Sequence, residues 1–221
     1  MNRGGNKRAR GSRLIGLGGG SCAGKTTLAK KVRARLLPVR SEILTCDRYY
    51  KPLDHLPFEE RQRQNFDSLS MLDLPLLGRH LRQLKAGLSV EVPVYDFHRH
   101  TRSSQTEVFN PLPVILVEGI LIFASERLLR LLDLKVYIDV DDDLRLARRI
   151  KRDRAERRRS PESVLRQYFA TVLPAHKKLV EPTRALSDLV IRGEGETREA
   201  VDRVVARIKT LLNLNFSSGK I

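Results

Sequence analysis

The sequence predicts an α/β fold: a mostly parallel five-stranded sheet with helices on both faces, plus a small β-hairpin and an Arg-rich helical lid. Three observations predict it. Apolar, largely β-branched or aliphatic runs at 14–17, 42–46, 114–117, 135–139 and 188–191 alternate with helix-forming stretches, the pattern of strands that return through crossover helices. The first run feeds a glycine-rich segment that opens straight into a helix. The 221 residues suit one domain, and a chain of this size buries roughly 70% of its unfolded surface without needing a disulfide.

The elements follow in order. Residues 1–13 read as a basic disordered tail of Gly, Asn, Ser and Arg with almost nothing apolar. A single domain follows over 14–213, and 214–221 is a C-terminal tail. After the first strand, 27–37 favours a helix. The second strand, 42–46, ends at Asp47, and a polar, aromatic stretch runs from Arg48 to about Asn65. Leu72, Leu76, Leu77, Leu81 and Leu84 give 70–87 a helical period with Gly87 as its C-cap. Residues 90–97 alternate as a strand should, and 106–109 returns beside them, so 89–110 forms a hairpin insertion. The continuous run 114–117 is a strand buried on both faces, closed by Glu118-Gly119. Helices are expected at 125–132, 143–157, 161–180 and 196–213. The last carries Val201, Val204, Val205, Ile208, Leu211 and Leu212 on one face.

Charge needs a more local reading. The 42 basic and 26 acidic residues leave a net +16, which invites a nucleic-acid partner. Yet residues 1–13 hold five basic and no acidic side chains, and 143–159 hold nine basic against three acidic. Most of the excess therefore lies in one tail and one helix, and no nucleic-acid partner is expected. The longest apolar run, 114–124, is interrupted by Glu118 and too short to span a bilayer. Two cysteines, Cys22 and Cys46, and no secretory leader lead to the expectation of a soluble protein of a reducing cytoplasm.

Residues Gly19, Gly20, Ser21, Cys22, Ala23, Gly24, Lys25 and Thr26 fit the phosphate-loop pattern G-x-x-x-x-G-K-[ST] without mismatch. Between a strand and a helix, such a loop turns successive N–H groups toward phosphate oxygens, and the helix N-terminus adds positive potential. Lys25 is expected on the β- and γ-phosphates of a nucleoside triphosphate, with the Thr26 hydroxyl on Mg²⁺. Glu118 ends a buried strand, where a carboxylate sits beside the loop and can serve Mg²⁺ or water. Asp47, on the same edge, is equally readable as a helix N-cap or as the acceptor of a hydroxyl proton.

The helix at 143–157 opens on Asp141-Asp142-Asp143 and then turns basic. Arg145, Arg148, Arg149 and Arg152 share a face, where like charges repel unless an anion lies between them. Phosphoryl transfer gains from such cations, so 143–165 is expected to be a lid over the phosphates. The Asp-x-x-Gly and Asn-Lys-x-Asp signatures of GTPases are not in place, the one Asn-Lys pair being Asn6-Lys7. A small-molecule kinase is the favoured class.

The chain resembles the uridine kinases, also called uridine–cytidine kinases, from about 14 to 191. The resemblance rests on 19–27; on Asp47-Arg48-Tyr49-Tyr50; on Asn65-Phe66-Asp67; on Pro93-Val94-Tyr95-Asp96-Phe97 with His100-Thr101-Arg102; on Val117-Glu118-Gly119-Ile120-Leu121; and on Arg148-Arg149-Ile150-Lys151-Arg152-Asp153 with Glu156-Arg157. It implies transfer of phosphate from ATP, with Mg²⁺, to the 5′-hydroxyl of uridine or cytidine in pyrimidine salvage. Asp47, Lys25 and Arg152 would be catalytic, with Asp47 the base. Gly19 to Thr27, with Arg152, Arg157 and Arg159, would hold ATP. Tyr50, Phe66, Tyr95, Phe97 and His100 would line the base pocket. Asp67, Arg149 and Gln167 would grip the ribose. Thr26, Glu118 and Asp47 would serve the metal. The resemblance also makes a homo-oligomer, dimer or tetramer, an expectation. Two departures stand out: Cys22-Ala23 replaces the usual small pair, and Arg158 stands where relatives place Gly between two lid arginines. Phosphoribulokinases and pantothenate kinases share the scaffold but look less like the middle segment.

Overall fold

The computed structural model describes residues 11–193 and 197–214, and every structural statement below refers to these. Strands β1 (Arg13–Gly19), β2 (Ser41–Thr45), β5 (Val114–Glu118), β6 (Leu134–Asp139) and β7 (Leu189–Arg192) form a five-stranded sheet in the order β2-β5-β1-β6-β7. All its pairings are parallel. A separate antiparallel hairpin joins β3 (Val90–Asp96) to β4 (Thr101–Phe109). Because β1 is central, its carboxyl end meets those of β5 and β6, and Thr45, Leu17 and Glu118 are in register across three strands.

Alternation along the strands builds two cores. Leu14, Leu44, Ile115, Val117 and Tyr137 pack on one face with α3 (Leu74–Lys85), α4 (Glu126–Leu129) and the hairpin residues Val90 and Val92. Ile15, Leu17, Leu116, Val136 and Ile138 pack on the other. There they meet Leu28, Ala29 and Val32 of α1 (Lys25–Arg35) and Val201, Val204, Val205 and Ile208 of α8 (Thr197–Leu211). The sheet is thus buried on both faces, as its unbroken apolar strands require.

Several boundaries differ from those the sequence suggests. The helix expected over 70–87 begins at Leu74, because Asp73 caps it by accepting from Leu76 N at 3.1 Å and Pro75 fills the first turn. Leu72 is extended instead and pairs with Tyr50 across an isolated bridge. The helical period ran on through a leucine buried for a different reason. The helix does stop just before Gly87.

The return strand of the hairpin is longer than 106–109, and Phe97 falls in the turn rather than in a strand. The helix expected over 125–132 shrinks to α4. Asp47 lies in a 3₁₀ turn (Cys46–Tyr49) rather than at a strand end; Thr45 caps that turn by accepting from Asp47 N, so Asp47 is not its N-cap. Residue 13 belongs to β1, and Ser12 is buried with its N–H on the Leu84 carbonyl. The rest of the expected tail, residues 1–10, lies outside the described residues, as do 196 at the head of the last helix and most of 214–221.

Two helices, α5 (Asp142–Arg157) and α6 (Pro161–Gln167), follow β6. Beyond α6 the chain stays helical to Val180 but widens into π turns at Tyr168–Val172 and His176–Val180, on either side of a short α7 (Leu173–Ala175). Pro174 accounts for this. It has no N–H to give an α-helical bond, and its ring crowds the preceding turn, so the backbone takes up the extra residue in wider turns. A short helix, α2 (Phe58–Gln62), lies in the aromatic stretch after β2. No described helix is long and apolar enough to cross a membrane.

Leu116 is fully buried in the second core. Leu116→Ala is expected to cost about 2–5 kcal/mol of unfolding free energy, read as a lowered urea midpoint with unchanged slope.

Candidate active site

β1 ends at the loop that connects it to α1. Gly24 has φ 93°, a conformation that costs other residues about 1–2 kcal/mol, and it turns the chain into α1 with the helix N-terminus facing the loop's interior. Gly20 is required by close approach: a Cβ there would lie 2.5 Å from Nη1 of Arg145. The guanidinium of Arg145 is buried directly beneath the loop. It donates to the Val140 carbonyl and pairs with Asp142.

Lys25 is buried, and its ammonium donates to the carbonyls of Gly19 (3.1 Å) and Gly20 (2.8 Å). Burial lowers its pKa, opposed by the carboxylates of Glu118 and Asp47. The Thr26 hydroxyl donates to Glu118 Oε1 at 3.2 Å. These residues line one cleft of about 660 Å³ together with Arg148, Arg152, Glu156, Ile191, Arg192 and Gly193. Asp47 is in the same cleft; burial first, and Glu118 next, push its pKa up to about 6, while Lys25 and Arg157 pull the other way. The acids expected on the carboxyl edge are therefore brought to the loop.

Oxygen donors are the chemistry a hard divalent cation prefers, and Thr26, Glu118 and Asp47 are such a set. No described cluster of three or more His, Cys, Asp or Glu forms an all-protein cage. Mg²⁺ does not need one, since it keeps waters and takes further oxygens from substrate phosphates.

Beyond Asp47 the expected pocket residues form one aromatic cluster. Tyr50 meets Phe66 at 5.3 Å and Tyr95 at 5.4 Å between ring centroids. Phe66 stacks with His100 at 5.8 Å, and Tyr95 meets Phe97 edge-on at 5.0 Å. The Tyr95 hydroxyl is buried without a hydrogen-bond partner. Burial, then Arg157 and Arg159, lower the His100 pKa and keep its imidazole neutral. Asp67 titrates above its usual range through burial, opposed first by the charge of Arg149. Arg149 in turn donates to the Ser21 hydroxyl (2.9 Å) and to Gln167 Oε1 (3.1 Å).

The lid arginines are arranged differently from the shared face expected over 145, 148, 149 and 152. Arg145 and Arg149 point inward and are buried. Arg148 donates to the Gly193 carbonyl at 3.1 Å. Arg152 lines the nucleotide cleft. Arg157 lies over the Phe97 ring, 6.0 Å from its centroid. Arg159 is turned toward α6, donating to Gln167 Oε1 (2.6 Å) and to Ser163. The anion among them is internal: Asp153, fully buried.

The model of the phosphoribulokinase / uridine kinase family matches residues 14–199. The chain belongs to that family. A protein from Chloroflexus aurantiacus named uridine kinase is 49% identical over 199 residues, covering 90% of this chain and 95% of its own length. Another of that name from Staphylococcus haemolyticus is 42% identical over 200 residues, covering 90% and 97%. Among solved structures, the phosphoribulokinase from Rhodobacter spheroides superposes with a TM-score of 0.64 at 18% identity, over 83% of this chain and 71% of that one. This last likeness concerns the fold.

Arg192 and Gly193 of the cleft, and Asp153, which is fully buried and bonded to the cleft residue Arg152, drew no attention in the sequence of this family member. Arg192 ends β7 and Gly193 follows it, so the rule that drew attention to Asp47 and Glu118 also points to them: ligands gather at strand carboxyl ends. Asp153 offered no comparable signal, being one acid in a basic run. Arg158, the departure from the family pattern, adopts φ 52° and ψ 34° as the C-cap of α5, a left-handed position that suits Gly. Arg158→Gly is therefore expected to stabilise the protein by about 0.5–1 kcal/mol, the strain relieved less the extra chain entropy of glycine. Differential scanning calorimetry should show this as a Tm raised by about 1–4 °C.

Proposed function

We propose that this protein transfers the γ-phosphoryl group of ATP to the 5′-hydroxyl of uridine or cytidine, giving UMP or CMP. The observation that carries the proposal is Asp47, which belongs to two environments at once. On one side it shares the phosphate-loop cleft with Lys25, Thr26 and Glu118. On the other, its charge is felt in the aromatic cluster, where burial first and Asp47 next raise the pKa values of Tyr50 and Tyr95. A planar base stacked among those rings would leave its sugar beside Asp67 and Arg149 and its hydroxyl at Asp47. The names borne by relatives at 42–49% identity over nine-tenths of the chain support the same acceptor.

The Asp47 carboxylate accepts the hydroxyl proton as the new O–P bond forms and holds the oxygen in line, worth about 10²–10⁴ in rate. Lys25, the loop N–H groups and Arg152 stabilise the spreading phosphoryl charge. The Tyr95 hydroxyl, buried and unpartnered, and neutral His100 meet the polar edge of the base, which suits either pyrimidine. Thr26, Glu118 and Asp47 would hold Mg²⁺, which when bound neutralises phosphate charge. The soluble, small-molecule character of this chemistry fits the expected cytoplasmic setting.

ADP release with ATP and Mg²⁺ is the direct test, across uridine, cytidine, ribulose 5-phosphate and pantothenate. Turnover is expected with one or both nucleosides; turnover confined to ribulose 5-phosphate or pantothenate would refute the proposal. Asp47→Asn should retain ATP binding and lose at least ~100-fold in kcat. The pH profile gives an independent check. The accepting form of Asp47 exists above its pKa of about 6, so kcat/KM should be level above that pH and fall about tenfold per pH unit below it. A profile level down to pH 4.5 would remove Asp47 from the role.

A further inference from the structure

Four guanidinium groups surround Asp153. Its Oδ1 accepts from Arg152 Nε at 2.9 Å and Nη2 at 2.7 Å, and lies 3.8 Å from Nη1 of Arg157. Its Oδ2 lies 3.4 Å from Nη1 of Arg159 and 3.8 Å from Nε of Arg149. The backbone takes part as well: the Asp153 carbonyl accepts from Arg158 N and, at 3.1 Å, from Arg159 N. One residue therefore closes the left-handed hinge at Arg158 and supplies the one carboxylate all four arginines share.

The contacts are of two kinds. Arg152 is bound through two short hydrogen bonds. Arg149 and Arg157 stand at ion-pair distance without a hydrogen bond to the carboxylate, and Arg149 Nε is buried without a partner. Asp153 is the one carboxylate at ion-pair distance from all four. Glu156 attracts Arg152, Asp67 attracts Arg149 and Asp47 attracts Arg157 only at longer range, so beside the cleft that Arg152 lines the cluster is gathered but not saturated by direct bonds. Without any anion the same four groups would repel one another and spread.

We propose that Asp153 is a positioning residue that acts as an internal stand-in for substrate phosphate. It holds the lid arginines convergent before nucleotide arrives, and an incoming polyphosphate takes over part of their bonding. The inference rests on the phosphotransfer reading of the cleft, but its consequence for anion binding does not depend on which acceptor is phosphorylated.

The consequence has a sign that a purely structural role would not produce. Asp153→Asn keeps the shape and removes the competing charge. Inorganic tripolyphosphate, titrated calorimetrically without any nucleoside, should bind this variant about tenfold more tightly than the wild type, the loss of one competing charge-assisted bond. At the same time kcat with ATP should fall, because the arginines are no longer held convergent. Tripolyphosphate binding weakened or unchanged in a variant with wild-type Tm would overturn the proposal, because Asp153 would then be a spacer. If Asp153→Asn cannot be recovered folded, the double variant Asp153→Asn, Arg159→Gln is compared with Arg159→Gln alone. Tighter tripolyphosphate binding by the double variant supports the proposal; equal or weaker binding overturns it. Failure of the nucleoside reading would appear only in the acceptor panel and would leave the tripolyphosphate result standing.

Discussion

Lys25 is only 7% exposed, and its ammonium group has two backbone carbonyls of its own loop as hydrogen-bond acceptors. A cation so placed loses most of its hydration, and neutral acceptors alone do not compensate for that loss. What keeps the charge there is the carboxyl edge of the sheet. Glu118 at the end of β5 and Asp47 in the turn after β2 supply the opposing charges. Burial first, and the charge of Glu118 next, raise the Asp47 pKa. The register of three parallel strands fixes all of this, which is why the buried faces of β1, β2 and β5 matter to the chemistry.

The parts of this site legible in the sequence were those fixed by a strand end. The phosphate loop, Thr26 and Glu118 could be read because a glycine-rich turn after one buried strand and an acid after another leave little choice of position. Asp47 was only half legible. The sequence left it between cap and proton acceptor; Thr45 takes the capping role, which removes the first reading, and the second is what we propose. The helix over 70–87 was misread at its start because Leu72 keeps the period while serving a bridge to Tyr50. Burial alone does not report which element causes it. That these rings gather into one cluster was suggested only by resemblance, since each ring taken singly is as good a core residue as a ligand contact.

The basic helix shows a different limit. Spacing correctly says that Arg145, Arg149 and Arg152 neighbour one another, but not what the face they share is turned toward. In α5 that face is turned inward: Arg145 supports the loop from below, Arg149 ties Ser21 to Gln167, and Arg152 is bound by Asp153. Arg148 closes the far wall through Gly193. Except for Arg152 with its neighbour Asp153, these contacts join residues far apart in the chain, and nothing local encodes them.

The fate of these arginines also bears on how a net charge of +16 is read. A nucleic-acid surface needs exposed cations spread over a face. In α5 two of the arginines are buried and others are committed to carbonyls, to one carboxylate or to an aromatic ring. Arginines bound in this way are not free for such a surface, while Lys151, Arg154 and Arg158 stay exposed. The left-handed backbone at Arg158 belongs to the same arrangement. The chain must turn sharply there for Arg157 to lie over Phe97 while Arg159 returns to Gln167, so that the two sides of the lid touch the aromatic pocket and the phosphate loop's supports. The strain at one exposed position accompanies a turn that sends one guanidinium to the aromatic cluster and another to α6.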